Sequence, residues 1–229
     1  MIQKSEFFHP HSDHIVKHIG LIPDGGRRWA DINDVSLEES YEVTRNKLAD
    51  FLPRILDYGI AEISIYLSSK QNFRRKGHEI EAFTNQVLLS LPNEVLHLSS
   101  KFGLKVVVAG DLSNHPENFK QVVEKLLDKS SNEINGIINL CIAYDPFDEI
   151  NYAMKTIQNG ENIWSGLWVK TPLDLIIRSG DANLLSNFLP LQSGFARVYF
   201  TDKLFNDLTW EEVKGNIEHY HHLERKYGV

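Results

Sequence analysis

Cysteine and long hydrophobic runs are both scarce in this sequence. The single cysteine, Cys141, excludes an internal disulfide and indicates a reducing compartment. Since it stands within an apolar run, we expect a buried and unreactive thiol. No run approaches the roughly 18 apolar residues of a membrane span, so we expect no integral membrane segment. Residues 1–14 are polar, lack the apolar core of a secretory signal and predict a flexible N-terminal arm, which together indicate a cytoplasmic protein.

Positive charge is also in short supply. The chain has 24 Lys and Arg against 31 Asp and Glu, a net charge of −7, which disfavours nucleic acid as a partner. Its 229 residues are 42% hydrophobic and 24% charged, proportions typical of a globular protein with a sizeable core. Repeats and low-complexity tracts are absent, and no linker is long enough to divide the chain. We therefore predict a single domain over residues 15–229.

The most informative stretch joins a predicted buried strand, Ile19 to Ile22, to a predicted helix. Between them stand a proline, a carboxylate, two glycines and two arginines: Pro23, Asp24, Gly25, Gly26, Arg27 and Arg28. Open α/β sheets bind ligands at such strand–loop–helix corners. Glycines let backbone N–H groups approach a ligand, arginine forks suit phosphate oxygens, and a carboxylate is a ligand for Mg²⁺ beside a phosphate. An ordinary turn with a solvated arginine pair fits these residues equally well.

Apolar spacing along the chain predicts an α/β fold. Six short apolar runs predict strands at 19–22, 62–67, 104–109, 137–143, 173–177 and 198–201. Helical spacing predicts helices at 37–58, 79–102, 116–127, 148–158 and 209–227, with a loop at 159–170. The helix at 79–102 is expected to be interrupted by Pro92. Ser36 with Glu39, and Thr209 with Glu212, have the spacing of capping boxes. The alternation indicates a six-stranded, mostly parallel sheet flanked by helices on both faces.

The stretch from His18 to Ala30 resembles the signature H-x-x-x-I-x-D-G-N-G-R-W-A of the cis-prenyltransferases, the undecaprenyl diphosphate synthase family. Downstream landmarks follow in the same order over nearly the whole chain. P-D-G-x-R-R-W followed by V-S-L-E-E-S-Y, residues 35–41, looks most like the branch that makes irregular, lavandulyl-type monoterpenes. The resemblance implies the cis-prenyltransferase fold for the catalytic domain, release of diphosphate, Mg²⁺ as cofactor and a homodimer.

The resemblance also implies roles for individual residues. Asp24 holds Mg²⁺, and three further residues lie near the reacting carbons: Asn72, Ser69 and Tyr41. The departing diphosphate is bound by Gly25, Gly26, Arg27, Arg28 and Arg75. The second diphosphate is bound by Arg178, Ser186 and Arg197. Trp29 and Phe73 have two expected roles. Either they offer an aromatic face to the carbocation, or they pack in the core. His18 has a family counterpart expected near the diphosphate loop.

Four positions depart from the family pattern. Leu37 and Tyr41 replace an arginine and a histidine in the helix that forms one wall of the substrate site. In the second diphosphate segment, Leu184 replaces an arginine and Arg197 replaces a metal-binding glutamate. Two interpretations of Arg197 are open: it clamps the second diphosphate, or it pairs with Asp24 and disables the metal site.

The branch resemblance favours dimethylallyl diphosphate as the allylic donor and also as the acceptor, joined to a lavandulyl-type product. The small-molecule partners would then be prenyl diphosphates. Regular cis elongation with isopentenyl diphosphate is the first alternative. A non-catalytic subunit of a prenyltransferase is the second, although the set Asp24, Arg28, Asn72 and Arg75 speaks against it.

Overall fold

A sheet of six parallel strands runs through the computed structural model, which describes residues 15–74, 77–131, 135–158 and 161–222. The strands are β1 (His18–Ile22), β2 (Glu62–Tyr66), β3 (Leu104–Ala109), β4 (Gly136–Cys141), β5 (Leu175–Arg178) and β6 (Arg197–Phe200). Their spatial order is β3-β4-β2-β1-β5-β6, and every pairing is parallel. The predicted α/β fold is confirmed. The predicted arm, residues 1–14, lies outside the described residues.

Strand β1 lies near the centre of the sheet, and all five of its residues are buried. Ile19 pairs with Ile63 of β2 on one side and with Leu175 of β5 on the other. Because the strands are parallel, their carboxyl ends meet at one edge, where Ile22 lies beside Arg178. The segments that follow β1, β2 and β5 are therefore brought together.

Helices cover both faces of the sheet. They are α1 (Gly26–Asn33), α2 (Leu37–Asp57), α3 (Gly77–Phe83), α4 (Leu91–Phe102), α5 (Glu117–Lys129), α6 (Pro146–Thr156), α7 (Ile163–Gly166) and α8 (Trp210–His221). Short 3₁₀ helices occupy Lys70–Arg74 and Phe205–Asp207. Both predicted capping boxes form: Ser36 with Glu39 at α2, and Thr209 with Glu212 at α8. The short helix α7 lies within the segment predicted as a loop.

The helical segment predicted at 79–102 is interrupted, as expected, but the interruption lies before Pro92. Helix α3 passes into a π-helical turn at Thr84–Leu88, and α4 begins afterwards at Leu91. Pro92 occupies the first turn of α4. Proline has no N–H and suits a helix start, where N–H groups have no helical partner, better than a helix interior.

Apolar clusters fill both sides of the sheet. Ile19 and Leu21 belong to the larger cluster, whereas Ile22 belongs to the smaller one, as expected for side chains that alternate along a strand. Cys141 is fully buried, so the predicted burial of this thiol is confirmed, and burial raises its pKa well above the usual thiol value. Among the described helices, none has the length and apolar character needed to span a membrane.

Candidate active site

A cavity of about 1180 Å³ opens at the carboxyl edge of the sheet. Its walls come from the segments after β1, β2 and β5 and from helices α1, α2 and α3. Ten residues predicted for the site line it: Asp24, Gly25, Gly26, Arg27, Arg28, Tyr41, Ser69, Asn72, Arg178 and Ser186. Residues from four separate parts of the sequence thus meet around one cavity.

The loop after β1 depends on glycine. Gly25 has φ +110°, and a Cβ there would approach Leu204 Cδ2 to 2.7 Å, so a side chain meets both backbone strain and a clash. Helix α1 begins at the next residue, Gly26, with no side-chain cap. The first N–H groups of a helix have no intrahelical partner and carry partial positive charge. At the cavity wall they suit an anion such as a diphosphate.

Asp24 lies between two arginines. Its Oδ2 accepts a hydrogen bond of 2.8 Å from Arg178 Nη2, and its Oδ1 lies 3.7 Å from Arg28 Nη2. The Asp24 backbone N–H donates to the Ser179 hydroxyl at 3.0 Å, which fixes the loop against β5. The side chain of Asp24 remains 39% exposed, so it can reach a ligand in the cavity.

Arg178 ends β5 with a buried side chain. Its Nη1 donates to Ser186 Oγ at 2.8 Å, while Nη2 donates to Asp24. The segment that carries Ser186 holds left-handed backbone at Ser186 (φ 50°) and at Asn187 (φ 62°). Such conformations cost non-glycine residues about 1–2 kcal/mol each and persist only where the surroundings enforce them. The strained segment presents the Ser186 hydroxyl to the arginine.

Ser69 and Asn72 form a closed turn after β2. The Ser69 N–H donates to Asn72 Oδ1 at 2.8 Å, and the Asn72 N–H donates to Ser69 Oγ at 3.3 Å. This reciprocal pair orients both side chains at the cavity wall. Arg75, predicted to bind the departing diphosphate, lies outside the described residues, as does the side chain of Phe73.

The apolar side of the cavity is short. Leu37 and Tyr41 line it from α2, and Ile80 and Phe83 line it from α3. The rings of Tyr41 and Phe83 meet edge to face, with 5.3 Å between centroids. In the described chain, the cavity wall extends no further along either helix. The next inward residues are packed core: Leu48, Leu52, Val87 and Leu88 are each at most 1% exposed.

The family model described as "Putative undecaprenyl diphosphate synthase" matches residues 22–228. The chain belongs to the cis-prenyltransferase family. An isoprenyl transferase of Treponema denticola is 31% identical over 222 residues, which cover 93% of this chain and 97% of the relative. This cis-prenyltransferase is therefore an enzyme that transfers prenyl groups.

Two solved structures resemble this cis-prenyltransferase over nearly its whole length. Lavandulyl diphosphate synthase from Lavandula x intermedia, in complex with dimethylallyl diphosphate, matches with a TM-score of 0.86 and 25% identity, covering 94% of this chain and 99% of that one. A probable undecaprenyl diphosphate synthase from Campylobacter jejuni matches with a TM-score of 0.74 and 28% identity, covering 93% and 99%.

Magnesium, on which the family depends in general, fits the donor set at Asp24. In the described ranges no group of three His, Cys, Asp or Glu side chains could hold a metal ion. Mg²⁺ is commonly held by one or two carboxylates together with substrate phosphates and water, so a half-exposed Asp24 beside anion-binding groups is a suitable ligand.

Two predicted site residues lie elsewhere. The Trp29 indole N–H donates to Asp207 Oδ1 at 2.8 Å, which ties α1 to the 3₁₀ helix Phe205–Asp207 instead of facing a substrate. Arg197 begins β6 beside Leu175, whereas Arg178 pairs with Phe200 at the other end of the strand. Arg197 is therefore three strand residues, or about 10 Å, from the level of Arg178. Within the described chain the arginines beside Asp24 are Arg178 and Arg28, so placing Arg197 next to Asp24 was wrong.

His18 is also displaced from its expected position. It begins β1, so the length of the strand separates it from the loop after Ile22. The buried ring has Nε2 2.7 Å from Ser64 Oγ and Nδ1 3.1 Å from the Pro172 carbonyl oxygen. Burial is the largest influence on the pKa of His18 and lowers it, against an opposing effect of Glu62. His18 therefore belongs to the core below the site.

Sequence reasoning missed Tyr66 and Glu79, which also line the cavity. Glu79 Oε2 accepts from Arg27 Nη1 at 3.3 Å and so connects α3 to α1. Tyr66 is the last residue of β2, and its hydroxyl donates to the Ser186 carbonyl oxygen at 2.9 Å. A polar-tipped aromatic at the carboxyl end of a predicted strand was the available signal for Tyr66.

Proposed function

We propose that this cis-prenyltransferase joins two dimethylallyl diphosphates into an irregular, lavandulyl-type monoterpene diphosphate. The observation that carries the proposal is the short apolar side of the cavity, which ends at Tyr41 and Phe83. In the part of the chain that the structure describes, the cavity wall ends at these side chains, and space of this kind suits a five-carbon chain. The structural similarity to lavandulyl diphosphate synthase, with a TM-score of 0.86, supports the same conclusion.

In the proposed reaction, the allylic C–O bond of the donor breaks and diphosphate departs with the electron pair. The alkene of the acceptor then supplies the pair for the new C–C bond, and loss of a proton completes the product. The α1 N-terminus, Arg27, Arg28 and Arg75 bind the departing diphosphate. Bound Mg²⁺, held by Asp24, would supply positive charge to that leaving group.

The remaining residues bind and orient the acceptor. Arg178 and Ser186 bind its diphosphate, and their mutual hydrogen bond of 2.8 Å sets the position of both groups. Ser69 and Asn72 hold the reacting carbons close together, which replaces a bimolecular encounter by a positioned one. The apolar wall excludes water from the carbocation, and the Tyr41 ring offers it a π face.

Regular elongation with isopentenyl diphosphate is the second candidate, favoured by relatives such as a Buchnera aphidicola undecaprenyl-diphosphate synthase that is 27% identical. Against it stands Leu184, which replaces an arginine of the segment that binds the second diphosphate in the family. Against a non-catalytic subunit stands the shared cavity of Asp24, Arg28, Asn72 and Arg178.

One incubation series distinguishes these candidates. Purified protein receives dimethylallyl diphosphate alone, isopentenyl diphosphate alone, or both, each with Mg²⁺ or with EDTA, and products are identified by mass and fragmentation. We expect a branched C10 diphosphate from dimethylallyl diphosphate and Mg²⁺ alone. A product that forms only when isopentenyl diphosphate is present would establish regular elongation instead. Asp24→Asn provides the inactive control.

We also propose the homodimer and the cytoplasmic location that the sequence predicts. Sedimentation equilibrium tests the first, with a mass of twice 26.3 kDa as the expected result. A constant mass of one chain at all concentrations would contradict it. Fractionation of the cells that make the protein tests the second, with the chain expected in the soluble fraction.

A further inference from the structure

A buried tyrosine connects two parts of the cavity that are far apart in sequence. Tyr66 is 8% exposed and ends β2 at the carboxyl edge of the sheet. Its hydroxyl donates to the backbone carbonyl oxygen of Ser186 at 2.9 Å, across 120 residues of sequence. Its ring packs on Phe188 from the same segment, with 5.0 Å between centroids. Tyr66 therefore contacts the 181–189 segment through both its ring and its hydroxyl.

On its other side Tyr66 faces the turn after β2. Burial is the main cause that raises the pKa of Tyr66, and hydrogen bonding with the Ser69 side chain opposes that shift. The phenol is thus protonated at neutral pH and remains a donor, and Tyr66 precedes Ser69 by three residues along the chain. Ser69 is in turn bonded to Asn72 in both directions.

These contacts form one continuous chain through the site. It begins at the Ser69–Asn72 turn, follows the backbone to Tyr66 three residues earlier, and passes through the Tyr66 hydroxyl to Ser186. From Ser186 it continues to Arg178 at 2.8 Å and then to Asp24 at 2.8 Å. Tyr66 is the link that joins the reacting-carbon side of the cavity to the side that binds the second diphosphate.

We propose that Tyr66 is a positioning residue that holds Ser186 and Arg178 at a fixed distance from the Ser69–Asn72 turn. The proposal deepens the proposed function, because it assumes a second diphosphate at Ser186. Left-handed backbone at Ser186 and Asn187 is intrinsically unfavourable, so the segment needs an external tether to keep its shape. The Tyr66 hydroxyl bonds directly to the strained residue and supplies that tether.

Tyr66→Phe removes the tether and keeps the ring. We expect affinity for inorganic diphosphate, measured by isothermal titration calorimetry with Mg²⁺, to fall about 3- to 10-fold, as for loss of one hydrogen bond. KM for dimethylallyl diphosphate should rise by a similar factor, with a smaller change in kcat. The calorimetric readout needs no prenyl substrate, so it is independent of which product the enzyme makes. Unchanged diphosphate affinity would overturn the proposal.

A double-mutant cycle with Ser186→Ala separates positioning from general stability. If Tyr66 acts through the Ser186 hydroxyl, Tyr66→Phe should have little further effect on affinity in the Ser186→Ala background. Fully additive losses would overturn the proposal. Tyr220→Phe is the matched control, because Tyr220 is also buried and donates to Asp174 Oδ1 at 3.2 Å, at the opposite end of the strands. An equal loss of diphosphate affinity in Tyr220→Phe would overturn it as well.

Discussion

The guanidinium of Arg178 donates to the Asp24 carboxylate at 2.8 Å, so the predicted metal ligand is engaged by a cation of its own chain. The Arg178 side chain is 6% exposed, whereas that of Asp24 is 39% exposed. A buried cation that loses its carboxylate partner needs another anion. We therefore expect a diphosphate bound at Arg178 to provide that anion and to free Asp24, which would link substrate binding to metal binding.

Replacement of Arg178 by glutamine should weaken binding of the second diphosphate. Hydrogen bonds to charged groups contribute about 1.5–3 kcal/mol, so we expect affinity for inorganic diphosphate to fall roughly 10- to 100-fold. Calorimetry in the presence of Mg²⁺ measures the change. Arg54→Gln is the control, because Arg54 forms an exposed pair with Asp50 outside this cavity. Equal affinities in wild type and Arg178→Gln would contradict the assignment.

The same variant should change metal binding in the opposite direction. Loss of the competing guanidinium exposes Asp24, so affinity for Mn²⁺ without diphosphate should rise by roughly 5-fold, as for loss of an ion pair of about 1 kcal/mol. In wild type, diphosphate should raise the affinity for Mn²⁺. In Arg178→Gln, this increase in affinity should be smaller. Electron paramagnetic resonance of free Mn²⁺ reports both values. A diphosphate effect of unchanged size would show that Arg178 does not link the two ligands.

Truncation of Phe83 should lengthen the apolar side of the cavity. Phe83→Ala removes the Tyr41–Phe83 ring contact, so we expect the variant to use geranyl diphosphate about 10-fold more efficiently relative to dimethylallyl diphosphate. Competition between the two donors, read by product mass, gives the ratio. Phe102→Ala is the matched control, since Phe102 is also half-buried against the core but lies at the far end of α4. The same ratio in all three proteins would contradict a chain stop at this position.

His18 should make stability depend on pH below neutrality. Burial lowers its pKa from 6.5, so the unfolded chain takes up a proton that the folded chain rejects. The contribution of His18 to the free energy of unfolding is complete above pH 6.5. It is lost as the pH falls below that value, by up to about 1.4 kcal/mol per pH unit. Urea denaturation should therefore show the free-energy difference between wild type and His18→Gln shrinking from pH 7.5 to pH 5.5. A constant difference would contradict the prediction.

Local features of the fold and site could be read from the sequence. The strands were predictable because buried parallel strands are short apolar runs, and the helix starts at Ser36 and Thr209 carry their own capping partners. The corner from Asp24 to Arg28 was predictable because its carboxylate, glycines and arginines are consecutive in the sequence. These features depend on neighbours within a few residues, which the sequence displays directly.

Features that depend on distant register could not be read in this way. Arg197 and Arg178 were predicted to bind the same diphosphate. The pairing of β5 with β6 nevertheless places Arg197 at the other end of the strand. Trp29 directly follows Arg28 in the sequence, but the helical turn directs its ring to Asp207. The hydrogen bond from Tyr66 to the Ser186 carbonyl oxygen joins residues 120 positions apart, so the sequence does not display it.

The π-helical turn at Thr84–Leu88 gives this fold a simple way to change its substrate range. A π turn contains one residue more than the α-helical turn it replaces, and each residue of a helix advances the side-chain direction by about 100°. Deleting one residue there would rotate everything that follows relative to α3. An evolving lineage could thereby exchange which side chains of α4 lie beyond Phe83 through a single-codon loss, while the diphosphate-binding corner stayed intact.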